Sequence, residues 1–117
     1  MNSLKVHHIS LNVADLQEAN DFYTKVLNLT PIARPEMGFP GVWLSLGEQQ
    51  LHLIQKQDHQ APAGQHFAFH VDDLLLIRDE LMKKGIQVSA PKEIDKVCLQ
   101  CFFKDPSGNL LELNQPF

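Results

Sequence analysis

His8-Ile-Ser-Leu-Asn-Val-Ala-Asp-Leu16 and His66-Phe-Ala-Phe-His-Val-Asp-Asp-Leu74 are two copies of one pattern within a chain of 117 residues. The opening His, the apolar alternation, the Val and the Asp before the closing Leu coincide at an offset of 58 residues. Further along each copy, Leu51-His52-Leu53 matches Leu111-Glu112-Leu113 at an offset of 60. An internal repeat predicts two copies of one structural unit, so it constrains the architecture before any local assignment.

Each copy carries the signals of a strand, a helix and two or three further strands. Asp15 and Asp73 are predicted N-caps, because each precedes a run of apolar residues at helical spacing. The first helix is expected to continue to Leu27, and a strand is expected near residues 87–89. We therefore predict an α+β fold of two paired βαβββ modules that form a curled mixed sheet, with the helices on its outer face. The single domain 1–117 would comprise module one at 1–55, a polar linker at 56–64 and module two at 65–117.

Alternation along the strands separates an apolar face from a small or polar face. Ile9, Leu11 and Val13 share one side of the first strand, whereas His8 lies on the other. The same separation recurs in the other ligand-bearing strands, and the helices are expected to cover the apolar face. All four candidate metal ligands fall on the polar face: His8, His52, His66 and Glu112.

Three imidazoles and one carboxylate form a ligand set suited to Zn, Ni, Co, Mn or Fe(II), with one or two positions left for water or substrate. We expect one divalent metal per site. Glu112 is the acidic member of the set and the candidate catalytic base. Other histidines are given lesser roles: His7 as a strand residue, and His59 as a linker residue. The candidate substrate-pocket residues are His70, Trp43, Ser45 and Arg34.

Composition restricts the class of partner. The net charge of −4 and the absence of a run of Lys or Arg argue against a nucleic-acid footprint. No long apolar stretch or leader segment is visible, so we expect no membrane partner and a cytoplasmic location. Cys98 and Cys101 have C-x-x-C spacing, but they fall within a predicted strand, which favours buried reduced thiols over a redox pair or a zinc site.

These residues resemble the vicinal oxygen chelate superfamily, which includes glyoxalase I, fosfomycin-resistance proteins, methylmalonyl-CoA epimerase, extradiol dioxygenases and bleomycin-binding proteins. The resemblance spans nearly the whole chain and rests on four segments: the two repeat openings, Gln50-Leu-His-Leu-Ile54, and Asp105-Pro-Ser-Gly-Asn-Leu-Leu-Glu-Leu113. It implies paired βαβββ modules around a divalent metal that chelates two neighbouring substrate oxygens. The family's ligand positions fall on His8, His52, His66 and Glu112, with His52 where glyoxalase I often has Glu.

The resemblance implies a lyase or isomerase of glyoxalase type, acting through a metal-held enediolate on a small substrate with adjacent oxygens. It also implies a homodimer as the expected assembly. Two alternatives stay open. His8, His66 and Glu112 alone would form the triad of an Fe(II) extradiol-type dioxygenase, although Phe102 and Phe103 occupy the region where those enzymes use a tyrosine. Related non-catalytic proteins bind antibiotics or other small molecules, but they have lost the ligands that this chain retains.

Overall fold

The computed structural model describes residues 3–117 and divides the chain into two compact units, Met1–Gln60 and Ala61–Phe117. Residues 1 and 2, which begin the predicted first module, lie outside the described part. Each unit contains one four-stranded mixed sheet and a helical segment between its first two strands. The predicted α+β fold of two βαβββ modules is therefore confirmed.

The first unit has a sheet in the order β1-β4-β3-β2, with β1 parallel to β4 and the other neighbours antiparallel. A parallel pair needs a crossover connection, and the helical segment lies on that connection. In chain order the elements are β1 (His8–Val13), α1 (Leu16–Asp21), a π-helical turn (Phe22–Val26), β2 (Thr30–Ile32), β3 (Gly41–Leu46) and β4 (Gln49–Gln55).

The second unit repeats this topology, with a sheet in the order β5-β8-β7-β6 and β5 parallel to β8. Helix α2 packs against β8, and Leu74 and Leu81 are the buried residues of that helix. Within residues 3–117, no helix has the length and apolar character needed to span a membrane. In chain order the elements are β5 (His66–His70), α2 (Leu74–Lys83), β6 (Lys92–Ile94), β7 (Cys98–Lys104) and β8 (Leu110–Pro116).

Both helices begin where the repeat predicts, and each start is stabilised twice. The carboxylates of Asp15 and Asp73 accept the backbone N–H groups three residues on, at 2.9 and 3.1 Å. The side-chain amide oxygens of Gln55 and Gln115 accept the first N–H of α1 and of α2, at 3.1 and 2.8 Å. In each unit, a hydrogen bond to a glutamine side chain therefore joins the start of the helix to the end of the last strand. The sequence pattern did not predict this bond.

The first helix differs from the single α-helix that the sequence predicts. The N–H of Leu27 donates to the carbonyl of Phe22 at 3.1 Å, which is the i→i−5 bond of a π-helix. In an α-helix, Phe22 and Tyr23 would point about 100° apart. In this structure both are buried, at 5% and 0% exposure, so packing of two adjacent aromatic rings accompanies the wider turn. Asn28, at φ 61°, ends the segment in the left-handed conformation.

The predicted strand at residues 87–89 is wrong, since the second strand of the second unit runs from Lys92 to Ile94. Ser89 donates its backbone N–H to the Phe102 carbonyl at 2.8 Å, but the Phe102 N–H donates to the Ser89 hydroxyl oxygen, also at 2.8 Å, rather than to the Ser89 carbonyl. Pro91, which follows two residues later, has no N–H to donate. A side-chain bond and a proline thus interrupt the backbone ladder that the pattern suggested.

Strands β4 and β8 are interior strands, each with a neighbouring strand on both sides. The leucines on either side of His52 and of Glu112 are at most 2% exposed and form the apolar face. His52 and Glu112 point to the opposite face because successive residues of a strand alternate. They are nevertheless 9% and 5% exposed, so two ionisable side chains are buried at equivalent positions of the two units.

The two cysteines lie on β7 as buried free thiols, in agreement with the sequence prediction. Cys98 accepts a hydrogen bond from Asn114 Nδ2 at 3.4 Å, on the face that carries Glu112. Cys101 lies three residues on and therefore on the opposite face. Burial, which is the largest influence, raises the pKa of the Cys101 thiol; Arg78 opposes the shift and Glu112 adds to it.

Candidate functional site

His8 and His52 form the candidate ligand pair of the first unit. His8 opens β1, and His52 lies on the neighbouring strand β4, where Ser10 is its register partner. Their rings stack nearly parallel, with centroids 4.2 Å apart and an interplanar angle of 15°. Trp43, on the strand at the other side of β4, stacks on the opposite ring face at 4.4 Å and 8°. We call these three rings, Trp43, His52 and His8, the aromatic stack.

The polar contacts of His52 define the state of its ring. Its Nε2 atom lies 2.8 Å from the amide oxygen Oε1 of Gln50, and since that oxygen accepts, Nε2 carries the hydrogen in this arrangement. The pKa of this imidazole is lowered, first by burial and then by the positive charges of His8, His7 and Arg34. A neutral imidazole is the form that binds metal ions. The surroundings of His52 therefore favour the form that a metal ligand requires.

His66 and Glu112 form the candidate ligand pair of the second unit and are in direct contact. His66 Nε2 lies 3.0 Å from Glu112 Oε1, and His66 Nδ1 lies 2.8 Å from the carbonyl oxygen of Gly64. Because a carbonyl only accepts, Nδ1 must carry the hydrogen. In a neutral ring the lone pair of Nε2 then faces a carboxylate oxygen. This contact is favourable only if a proton or a cation lies between the two atoms.

Glu112 is held from its other side by Asn114, which lies two residues further along the same strand. Asn114 Nδ2 donates to Glu112 Oε2 at 2.8 Å, so the two carboxylate oxygens have different partners. The ring of Phe102, the register partner of Glu112 on β7, meets His66 edge-to-face with centroids 5.3 Å apart. Packing and hydrogen bonding together restrict the carboxylate to one orientation.

The His66–Glu112 pair has the spacing of two neighbouring metal ligands. Two donor atoms about 2.1 Å from a cation and about 90° apart, as in an octahedral site, are separated by about 3.0 Å, and 3.0 Å separates His66 Nε2 from Glu112 Oε1. The Gly64 carbonyl contact is also of the kind that orients metal-bound imidazoles. The pair in the first unit fits less directly, because Gln50 occupies Nε2 of His52 and would have to turn away. Across residues 3–117, no three or more His, Cys, Asp or Glu side chains are grouped to hold a metal ion.

The other residues singled out from the sequence lie at various distances from these pairs. Trp43 contacts His52 directly, and Ser45 is paired in register with Gln50. His70 follows His66 by four residues on β5, with its side chain 73% exposed and its Nε2 atom 3.9 Å from Asp72 Oδ1.

His7 lies beside His8, with their Nδ1 atoms 3.0 Å apart, so it contacts a candidate ligand and is more than a neighbour in sequence. His59 lies in the segment after β4, where its N–H donates to the Lys56 carbonyl at 2.9 Å.

Three residues of the site were missed from the sequence: Gln50, Gly64 and Asn114. Each lies two residues from a candidate ligand and bonds to that ligand's side chain. Residues two apart on a strand share a face, so Gln50 and Asn114 had a detectable signal. Gly64 had none, because it acts through its backbone carbonyl.

Comparisons with known proteins cover most of the chain. The family model described as Glyoxalase/Bleomycin resistance protein/Dioxygenase superfamily matches residues 5–113. The chain is 30% identical over 119 residues to Glyoxylase I 4 of Arabidopsis thaliana, covering 92% of this chain and 68% of that protein. It is 24% identical over 117 residues to Metallothiol transferase FosB of Shouchella clausii, with 93% and 78% covered. A solved structure of TnmS3, an antibiotic binding protein from Streptomyces sp. CB03234, matches with a TM-score of 0.80 at 25% identity, covering 100% of this chain and 99% of that one.

Proposed function

Because the chain belongs to the glyoxalase/bleomycin resistance protein/dioxygenase superfamily, we propose that it is a divalent-metal-dependent enzyme of the lyase or isomerase type, acting on a small molecule with two adjacent oxygens. Its ligands would be His8, His52, His66 and Glu112. The observation that carries the proposal is the 3.0 Å contact between His66 Nε2 and Glu112 Oε1. The Gly64 carbonyl fixes the hydrogen of His66 on Nδ1, so a proton or a cation must occupy that contact.

The residues of the second unit divide the work between them. Glu112 would take a proton from the substrate carbon and return it, while Asn114 Nδ2 donates to its Oε2. Asn114 positions this carboxylate, and Gly64 positions the imidazole of His66. A bound divalent cation would supply Lewis-acid stabilisation of the negative charge that develops on the substrate oxygens.

The first unit would contribute two imidazole donors, His8 and His52, and side chains that contact the substrate. Burial keeps His52 in its neutral form, and Gln50 would move aside when His52 binds a cation. Trp43 and Ser45 would face the substrate from β3, and His70 would do so from β5. With His52 in place of a second carboxylate, the ligand set carries one negative charge, which leaves Glu112 as the one base among the four.

The names of two relatives support an enzyme that uses a metal. Glyoxylase I 4 and Metallothiol transferase FosB are enzymes by their names, and the second name specifies a metal. We further propose that the protein is a homodimer, as the resemblance implies, and that it is cytoplasmic. Light scattering after gel filtration tests the assembly, and a monomer at micromolar concentration would contradict it.

Metal titration of the full chain, stripped with chelator, tests the proposal. Trp43 is the only tryptophan and stacks on His52, so its fluorescence reports on binding at this site. We expect saturation at one ion per site with Zn, Ni, Co or Mn, and strongly weakened binding in His66→Asn and Glu112→Gln. His70→Asn, on the same strand and face as His66, is the matched control and should bind as the parent does. Equal binding by His66→Asn and His70→Asn would refute the ligand assignment.

A second candidate function is non-catalytic binding of a planar small molecule. The aromatic stack favours it, since ring planes within 15° of one another offer a surface on which a flat ligand can continue the stacking. The similarity to the antibiotic binding protein TnmS3 points the same way. Failure to bind any divalent metal, together with saturable binding of a planar aromatic compound, would favour this function.

Retention of air-sensitive iron would instead favour the dioxygenase, although Tyr23, the only tyrosine, is buried in the core at 0% exposure.

A further inference from the structure

Arg34 lies on the same sheet face as the aromatic stack, although it follows β2 rather than belonging to a strand. A side chain added at Gly41 would have its Cβ atom 2.8 Å from Arg34 Nη2 and 2.9 Å from Cζ. Gly41 and Trp43 are two residues apart on β3, so side chains at the two positions share a face. The guanidinium therefore occupies the space that a side chain at Gly41 would fill, beside Trp43 on that face.

Contacts hold the Arg34 guanidinium in place, but one of its N–H groups has no hydrogen-bond acceptor. Its Nη2 donates to the Phe39 carbonyl at 2.9 Å, and its Cζ lies 5.0 Å from the centroid of the Phe39 ring. Within residues 3–117, the buried Nε has no hydrogen-bond partner. A buried donor without an acceptor is costly, and arginine is suited to oxyanions because its N–H groups form a fork. An oxyanion that drew the side chain towards itself could provide the missing acceptors.

A cleft of about 470 Å³ borders Arg34, with Glu36 and Phe39 among its lining residues. Glu36 is the one acidic group of this lining, and its Oε1 accepts the Gly38 N–H at 2.9 Å. Two residues span about 7 Å along a strand. Gly41 therefore lies about 7 Å along β3 from Trp43, on whose ring His52 is stacked. Neither Trp43 nor His52 lines this cleft, so a molecule bound at Arg34 would have to extend beyond the cleft, along β3, to reach them.

We propose that Arg34 determines substrate specificity by binding an oxyanion, a carboxylate or a phosphate, at the end of the substrate remote from the adjacent oxygens. This inference rests on the proposed function for its description of the rest of the substrate. It names the substrate class more narrowly: a small molecule that carries an anionic group in addition to its two adjacent oxygens. Arg34 touches the substrate in this proposal but takes no part in proton transfer.

The test uses the metal-free full chain at pH 8, so that it does not depend on metal binding. Inorganic phosphate and acetate are titrated separately, and the backbone amide resonances of Phe39 and Gly41 are followed by NMR. We expect saturable shifts with at least one anion, and about a tenfold or greater loss of affinity in Arg34→Gln, the effect of losing a charge-assisted hydrogen bond. Phosphate alone, or acetate alone, would identify the group.

Two variants sharpen the comparison. Arg78→Gln removes the same charge from the only other arginine, whose Nε already donates to the Ser89 carbonyl at 2.9 Å, and should leave anion binding unchanged. Glu36→Gln removes the negative charge from the cleft and should strengthen binding. Arg34→Lys keeps the charge without the fork and should fall between the parent and Arg34→Gln, which preserves the test if the glutamine variant fails to fold.

The possible results separate this inference from the proposed function. Equal anion affinity in Arg34→Gln and Arg78→Gln, or saturation by neither anion, would overturn the role of Arg34. Anion binding that depends on Arg34 in a protein that binds no metal would support the anion site while contradicting the metal enzyme.

Discussion

Replacing Glu112 by Gln should separate metal binding from stability, because the hydrogen bonds around this residue can survive the change. The carboxylate is 5% exposed and has two contacts, with Asn114 Nδ2 at 2.8 Å and with His66 Nε2 at 3.0 Å. A glutamine amide can accept from Asn114 with its oxygen and donate to His66 Nε2 with its nitrogen. His66 then keeps its Nδ1 hydrogen on the Gly64 carbonyl. Every polar atom of the group retains a partner.

The free energy of unfolding of metal-free Glu112→Gln should therefore lie within about 1 kcal/mol of the parent, the scale of one net hydrogen bond. Glu112→Ala removes both contacts and leaves Asn114 Nδ2 with only its bond to Cys98 Sγ, so it should cost about 1–3 kcal/mol. Metal affinity should show a different order. Both variants lose the anionic ligand, and since loss of an outer partner alone costs about 10–100-fold, a weakening of about 100-fold or more is expected for each.

Urea unfolding followed by circular dichroism, in the presence of chelator, measures the stability of all three proteins. Isothermal titration with Zn and Mn measures their affinities, and turnover should be lost with the carboxylate once a substrate is known. Glu80→Gln, at an exposed position of α2, controls for the loss of one negative charge. Parent-like metal affinity in Glu112→Gln would remove this residue from the ligand set. A large loss of stability in that variant would refute the hydrogen-bond exchange.

Three further predictions concern titration, thiol reactivity and the core. Burial and nearby positive charges lower the pKa of His52, so the unfolded chain takes up a proton before the folded one does. The free energy of unfolding of the metal-free protein should therefore fall as the pH drops below the ordinary histidine pKa of 6.5, and His52→Gln should reduce that slope in urea titrations. Cys98 and Cys101 are 2% and 1% exposed, and burial raises the pKa of the Cys101 thiol, so both should react slowly with a disulfide reagent at pH 8 and rapidly in urea. Fast reaction of the native protein would contradict the packing of β7. Leu51→Ala, at 0% exposure, should cost about 2–5 kcal/mol, whereas Leu75→Ala, at 58% exposure, should change stability little.

The repeat predicts the architecture well because strand periodicity and N-caps are local signals. Asp15 and Asp73 mark both helix starts, and β1 shows the expected alternation of burial towards Val13. The failures arise where tertiary packing overrides local pattern. The π-helical turn depends on burying Phe22 and Tyr23 together, and the missing strand at residues 87–89 depends on the hydroxyl of Ser89 reaching Phe102.

The sequence indicates which residues belong to the candidate site, but not the hydrogen bonds and ring contacts between them. The sequence places His52 and Glu112 on the polar face, and the structure adds that both are almost fully buried. The sequence alone could not reveal that His66 contacts Glu112 directly, that Trp43 stacks on His52, or that Gln50 bonds to a ring nitrogen of His52. Such contacts depend on side-chain rotamers and strand register, which alternation alone leaves undetermined.

The register that places His52 opposite Trp43 also places Glu112 opposite Phe102. The two units thus have one equivalent position, which is basic in the first unit (His52) and acidic in the second (Glu112). Each unit can therefore be compared with the other. Exchanging the two side chains would preserve composition and overall charge while moving the acidic group into the half that contains Arg34. The duplicated chain thereby offers a way to ask how the location of a single charge shapes reactivity.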